Sequence, residues 1–303
     1  MPSIKIGAAS WHDIASFYPS GCRAPGARLK FYSTEFPLVE VDTSYYAIPR
    51  LKSVATWAEH TPADFTFDVK AFRLLTTHQT APRVLSPEAR EALPSNLADK
   101  GTIYYRQTPA SVKDMVWAEF EAVLDLLSGV GKLGVVLFQF PFWFMPKRES
   151  FSHIDECRER LSKYRLAVEF RNRYWLDDDN LEETLSFLRR NGLSFVAVDE
   201  PQGFNSSVPP LADVTAEVAI VRFHGRNRDT WEKKGLKSSQ ERFDYYYSRG
   251  EMEEWAPKIA VMAQQAREMH VIINTNNQDQ AIANARLAAE VLGDGKSPPR
   301  TLL

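Results

Sequence analysis

Eight apolar, strand-like runs recur along this 303-residue chain, at residues 4–10, 38–44, 65–71, 134–141, 166–171, 194–199, 219–224 and 270–276. Most stretches between them are long enough for a helix, and several carry helical periodicity. Eight repeats of strand then helix predict the α/β class and, within it, a TIM-like (β/α)8 barrel. Most of the runs end in a charged or amide residue. In such barrels the catalytic groups stand at the carboxyl ends of the strands. The sequence therefore says where chemistry belongs before it says what the chemistry is.

The rhythm runs from residue 4 to about 293 without a Pro/Gly/Ser-rich linker, so one barrel domain over 1–303 is preferred to two smaller ones. Helices are predicted at 29–36, 51–60, 151–164, 178–191 (closed by Gly192), 252–269 (with Pro257 in or near its first turn) and 284–292. Residues 231–247 read as a loop. The longest connection, 72–133, follows the third strand; it holds Pro82, Pro87, Pro94 and Pro109 and ends in an amphipathic stretch at 111–127. A connection this long on the carboxyl face of a barrel usually carries function. The tail, 297–303, is expected to be loosely held.

Composition narrows the partners. Thirty-seven basic against 39 acidic side chains give a net charge of −2, which disfavours a broad nucleic-acid surface. No apolar stretch reaches 18 residues, so no membrane span is expected. The chain enters a strand at once, with no signal-peptide pattern, and Cys22 and Cys157 have no metal-ligand spacing. Reduced thiols in a cytoplasmic protein fit these facts.

Side chains two apart on a strand share a face. Glu40, Asp42 and Ser44 are thus expected together on the second strand, Asp68 and Lys70 on the third, and Glu169 and Arg171 on the fifth. Gln139 ends the fourth and Asp199 the sixth; Arg222, His224 and Arg226 line the seventh, and Asn274 and Asn276 the eighth. Facing inward, they would gather carboxylates, cations, one histidine and amides at one mouth. Glu40, Lys70, Glu169, Asp199 and His224 are the candidate catalytic groups. Ser10, Trp11, Asp42, Tyr45, Gln139, Arg171, Trp175, Arg222, Arg226, Asn274 and Asn276 are the candidate substrate contacts. Each has a plainer reading. Asp199 is also a helix cap and Glu169 with Arg171 a structural ion pair, while the aromatics Trp11, Tyr45, Tyr46, Phe142, Trp143, Trp175 and Trp231 either wall a pocket that stacks on a sugar or base or form a roof over the barrel. No GxGxxG, P-loop, HExxH or GxSxG pattern is present.

The motifs Ile6-Gly7-Ala8-Ala9-Ser10-Trp11, Val39-Glu40-Val41-Asp42-Thr43-Ser44-Tyr45-Tyr46, Phe67-Asp68-Val69-Lys70-Ala71 with His78, and Leu137-Phe138-Gln139-Phe140-Pro141 are distinctive together. So are Ala167-Val168-Glu169-Phe170-Arg171-Asn172-Arg173-Tyr174-Trp175, Val221-Arg222-Phe223-His224-Gly225-Arg226, and Asn274-Thr275-Asn276 with Gln280-Ala281. Over nearly the whole chain this resembles the YecE-like family, number seventy-two in the domain-of-unknown-function series. The resemblance implies a TIM-like barrel and brings no established activity. Asp42 stands where the family usually shows Asn, Thr275 breaks its usual Asn-Asn pair, and Phe142 replaces the second Pro of its Gln-x-Pro-Pro pattern.

The expected function is a hydrolase, lyase or isomerase acting on a small anionic or sugar-like substrate, by carboxylate and histidine acid–base chemistry. An anion is expected between Lys70, Arg222 and the Asn274 and Asn276 amides. A Schiff base at Lys70 is a lesser option. No cofactor is expected. A divalent metal on Glu40, Glu169, Asp199 and His224 is the alternative, against which the nearby cations count. The competing class is a non-catalytic module that binds an anion or a single nucleic-acid strand. Glu169→Gln is expected to abolish activity at little cost in stability, since shape is kept.

Overall fold

The predicted runs become eight parallel strands closed in sequence order into a barrel. They are β1 (Ser3–Ala9), β2 (Leu38–Val41), β3 (Thr66–Lys70), β4 (Leu133–Gln139), β5 (Leu166–Glu169), β6 (Ser194–Asp199), β7 (Val218–Phe223) and β8 (Glu268–Ile273). The structure is a computed structural model and describes residues 3–12, 15–236, 238–275 and 277–293. Asn276 and the tail 297–303, both named above, lie outside the described residues. Around the barrel run α1 (Pro25–Glu35), α2 (Leu51–Glu59), α3 (Pro87–Glu91), α4 (Ser95–Ala98), α5 (Ala110–Gly129), α6 (Arg148–Arg160), α7 (Leu181–Arg190), α8 (Arg249–Gln265) and α9 (Gln280–Leu292). Among the described residues no helix is long and apolar enough to cross a membrane.

Two expectations need correction. The second strand ends at Val41 rather than Ser44, and Thr43–Tyr45 is a 3-10 turn. The Ser44 hydroxyl lies 2.6 Å from both the Val41 and the Lys70 carbonyls, which draws the chain over the end of β3. Asp42 and Ser44 therefore do not continue the strand face of Glu40. Pro257 is in the middle of α8, not in or near its first turn, because the helix begins earlier than expected. Ser248 and Glu251 form a capping box that starts the helix at Arg249. Pro257 is tolerated there on the exposed side, opposite buried Met252, Trp255, Ile259 and Met262.

Barrel interiors are usually filled by branched aliphatic layers. Here an apolar cluster of Ala9, Leu38 and Ile272 separates two charged layers. Leu38 lies two residues before Glu40 on its strand, and Ile272 falls between His270 and Asn274 on its own. The layer toward the amino ends of the strands centres on His270. Its Nδ1 is 2.9 Å from Asp68, and its Nε2 is 3.6 Å from Glu268, which also holds Lys5 at 3.0 Å and Arg165 at 2.6 Å. Gly134 is required beside it: a Cβ there would fall 2.1 Å from the Asp68 carboxylate.

Burial alone would lower the His270 pKa, but the Asp68 and Glu268 carboxylates outweigh it and raise the value. A raised folded-state pKa contributes stability that is fully present below the unfolded value, about 6.5. That stability is lost as pH rises through the folded value. The urea midpoint of the wild type should thus exceed that of His270→Gln most at about pH 5.5–6, and the difference should shrink at alkaline pH. A difference that grows with pH would show that the imidazole is held neutral.

Candidate active site at the carboxyl end of the barrel

The second charged layer is built around Glu169, at the end of β5. Its Oε1 receives Gln139 Nε2 at 2.6 Å, His224 Nε2 at 3.0 Å and Arg171 Nη1 at 3.2 Å, while Oε2 receives Arg222 Nη1. Arg222 also grips Glu40 with two bonds, Nε to Oε2 at 2.8 Å and Nη2 to Oε1 at 2.7 Å. His224 Nδ1 is 2.8 Å from Asn274 Nδ2, a donor, so the ring proton is assigned to Nε2, facing Glu169. Glu40, Glu169, Arg222 and His224 are all fully buried. A buried charge is tolerated only when paired and hydrogen-bonded, and this network meets that condition.

The protonation states follow from these contacts. Burial holds His224 at about 3 despite Glu169, so the imidazole is neutral. Burial would raise Glu169, but Arg222, His224 and Arg171 hold it well below the usual carboxylate range. Glu40 goes the other way: burial raises its pKa against the pull of Arg222 and Lys70. Lys70 is lowered by burial and by Arg222. Its ammonium sits 4.8 Å above the Tyr45 ring, and among the described residues no carboxylate salt-bridges it.

Above this layer opens a cavity of about 960 Å³. Gln139 and Arg171 are the members of the buried network that line it. Arg171 is fixed from below by Glu169 and by Glu200 at 2.9 Å, and from the side by the face of Trp231 at 4.7 Å. Both of those carboxylate contacts use Nη1, and its Nε and Nη2 have no acceptor among the described residues. Lys233, Lys234 and Arg242 also line the cavity, against one carboxylate among the described residues, Glu232. Arg242 Nε is buried without a partner among the described residues. His78 is a further lining residue. Burial and the charges of Lys70 and Arg73 keep it near 3, hence neutral.

The structure thus gathers Glu40, Lys70, Gln139, Glu169, Arg171, Arg222, His224 and Asn274 at one end, with Tyr45 beside Lys70. Ser10 stands at the close of β1 with a φ of +89°, its N–H bonded to the Glu40 carbonyl at 3.0 Å. Other candidates are placed elsewhere. Asp199 pairs in register with Phe223, which packs on Trp255 and Tyr247 of the outer layer. Asp199 accordingly accepts from Tyr247 Oη and Trp255 Nε1, each at 2.6 Å, and from Arg226. It ties the strand to α8, and Arg226 goes with it. Trp11 packs on Trp57 and Phe67 in the core, and Trp175 stacks on Phe170 at 4.2 Å with its Nε1 bonded to the Phe144 carbonyl. Neither faces the cavity.

The expected anion site also changes. Arg222 and the Asn274 amide are committed to Glu40, Glu169 and His224, so they cannot form an anion cradle with Lys70 as arranged. Nor do the candidate metal donors fit a shared ion: Asp199 is on the far side of the wall, and Glu40 and Glu169 clamp one guanidinium. Among the described residues no three His, Cys, Asp or Glu side chains converge as ligands.

Sequence reasoning missed Glu200, His78 as a lining group, and the loop cations Lys233, Lys234 and Arg242. Glu200 is buried, accepts from the Val208 N–H at 2.7 Å, and titrates near 7, burial raising it against the charge of Arg171. Alternation puts Asp199 and Glu200 on opposite faces, and the register of β6 against β7 decides which looks inward. The Lys233-Lys234 pair was the available signal for the loop, since it follows the end of β7.

A family model described as "Protein of unknown function DUF72" matches residues 5–302. The UPF0759 protein YunF of Bacillus subtilis is 34% identical over 292 residues, 95% of this chain and 94% of that protein. The UPF0759 protein YecE of Escherichia coli K12 is 32% identical over 134 residues, about half of each (44% and 47%). Among solved structures, a DUF72 family protein from Enterococcus faecalis V583 superposes with a TM-score of 0.79 at 27% identity, covering 96% of this chain and 95% of that one. One from Thermotoga maritima MSB8 gives 0.74 at 28% identity, covering 96% and 99%.

Proposed function

Since the chain belongs to the DUF72 family of TIM-barrel proteins, we propose that it is an enzyme of hydrolase, lyase or isomerase type, acting on a small anionic or sugar-like substrate at the carboxyl mouth of that barrel. One observation carries this reading: Arg171, Lys233, Lys234 and Arg242 surround a cavity with, among the described residues, a single lining carboxylate, on a chain of net charge −2. Charge of one sign in a low-dielectric cleft concentrates ligands of the other. Arg171 and Arg242 hold the anionic group, because a guanidinium fork with unused donors suits phosphate or carboxylate. Trp143 and Trp231 wall the apolar part of the substrate.

In this reading Lys70 moves the proton. It is the half-buried member of the network, burial and the charge of Arg222 lower its pKa, and its charge reaches the lining residue His78. Glu40, Glu169, Arg222 and His224 act as positioning residues. They hold Arg171 and Gln139 under the cavity and set the field at Lys70.

Calorimetric titration with inorganic phosphate and sugar phosphates tests the anion site. Arg242→Ala is expected to weaken binding by about tenfold to a hundredfold, the value of a charge-assisted hydrogen bond. Unchanged affinity would remove the basis for an anionic substrate. The second reading, a binding module without turnover, draws on the same saturation of Glu169, Glu40 and His224, which leaves those groups unavailable to a substrate proton. Turnover of a phosphorylated sugar that disappears in Lys70→Met decides for the enzyme.

A further inference from the structure

The long connection after β3 and the loop after β4 build a second cavity of about 920 Å³. Trp143 lines both cavities, and it is 45% exposed. Thr77 lines the second and its chain neighbour His78 the first. Two cavities thus border one exposed indole.

The second cavity repeats the charge of the first. Arg106, Lys113, Lys147 and Arg148 line it, with Glu149 and Glu156. Glu156 is engaged by Tyr105 Oη at 2.6 Å and by Arg160 at 3.4 Å. Among the described residues, none of those four cations pairs with a carboxylate, and neither do Lys233, Lys234 and Arg242. Cations gathered around a cleft raise the local concentration of anionic ligands. Each cavity also has a buried polar atom without a partner among the described residues: Arg242 Nε in the first and Thr77 Oγ1 in the second. Thr77 holds a φ of +63°, a conformation that costs a β-branched residue.

We propose that the two cavities form one groove for an elongated small molecule bearing two anionic groups, one on each side of Trp143. The inference rests on the anion-site reading of the first cavity and extends its substrate class from a monoanionic to a bis-anionic compound. The elaborated connection then has a role, since it supplies Arg106 and Lys113 to the outer half.

The test uses alkanediol bisphosphates of graded linker length against the matching alkyl monophosphates, by calorimetry. Tethering converts the second contact into an intramolecular one, so the best linker should bind about a hundredfold tighter than its monophosphate. That advantage should collapse in the double variant Lys147→Ala, Arg148→Ala. If no linker length exceeds the monophosphate, or the advantage survives the double variant, the proposal is overturned. A single-stranded oligonucleotide that outcompetes every bisphosphate, with a steep salt dependence, would overturn it in favour of a polymeric ligand. Failure of the monophosphate to bind at all refutes the first-cavity reading; monophosphate binding without a bisphosphate advantage refutes only this one.

Discussion

Arg222→Met is expected to lower the unfolding free energy by about 3–5 kcal/mol, seen as a fall in urea midpoint without a change in slope. The guanidinium is fully buried and donates two bonds to Glu40 and one to Glu169. Removing it leaves two carboxylates in the barrel with little access to water. Glu40 is already raised by burial even with Arg222 in place, so it should take up a proton in the variant. Glu169 retains Arg171, His224 and Gln139. The loss should therefore shrink as pH falls from about 7 to 5, where protonating a buried carboxyl costs least. A second variant separates charge from shape. Adding Glu40→Gln to Arg222→Met should recover part of the loss, because one stranded charge is gone. A loss below about 1 kcal/mol, or no recovery, would show that the barrel does not depend on this pair.

The same geometry revises one expectation about Glu169→Gln. Four donors converge on that carboxylate, and a glutamine would turn an N–H toward at least one of them. Keeping the shape does not keep the acceptors, so the substitution should cost stability as well as any activity.

The barrel was legible because strand ends are marked by chemistry. Glu169, Arg222 and His224 follow apolar runs, and alternation alone put Glu169 with Arg171 and Arg222 with His224. What alternation cannot supply is the absolute face. Asp199 and Glu200 are adjacent acids at one strand end, and only the pairing of Val198 with Arg222 turns Glu200 inward. Tryptophans misled for a related reason. Trp11 and Trp175 follow strands just as Trp231 does, but a large ring beyond a strand can fold back onto the outer helices as easily as over the mouth. The cavity cations Lys233, Lys234 and Arg242 lie in a loop, where no periodicity marks the direction of a side chain.

Lys70→Met should reduce turnover of any phosphorylated substrate by about 10²–10⁴-fold, the usual worth of a positioned proton-transfer group. Burial and the charge of Arg222 lower the Lys70 pKa from its ordinary 10.5. If Lys70 is the base, turnover rises with pH through that lowered value, because only the neutral amine accepts a proton. If Lys70 is the acid, turnover falls over the same range. Either limb should vanish in Lys70→Met. Lys70→Arg then separates proton transfer from charge: arginine stays protonated throughout, so it cannot restore a base limb, although it restores a positive charge above Tyr45. Full recovery by arginine would mean that Lys70 supplies only charge. A pH profile unchanged in Lys70→Met would mean that the proton moves elsewhere, and Glu200, titrating near 7 against Arg171, is then the next group to replace.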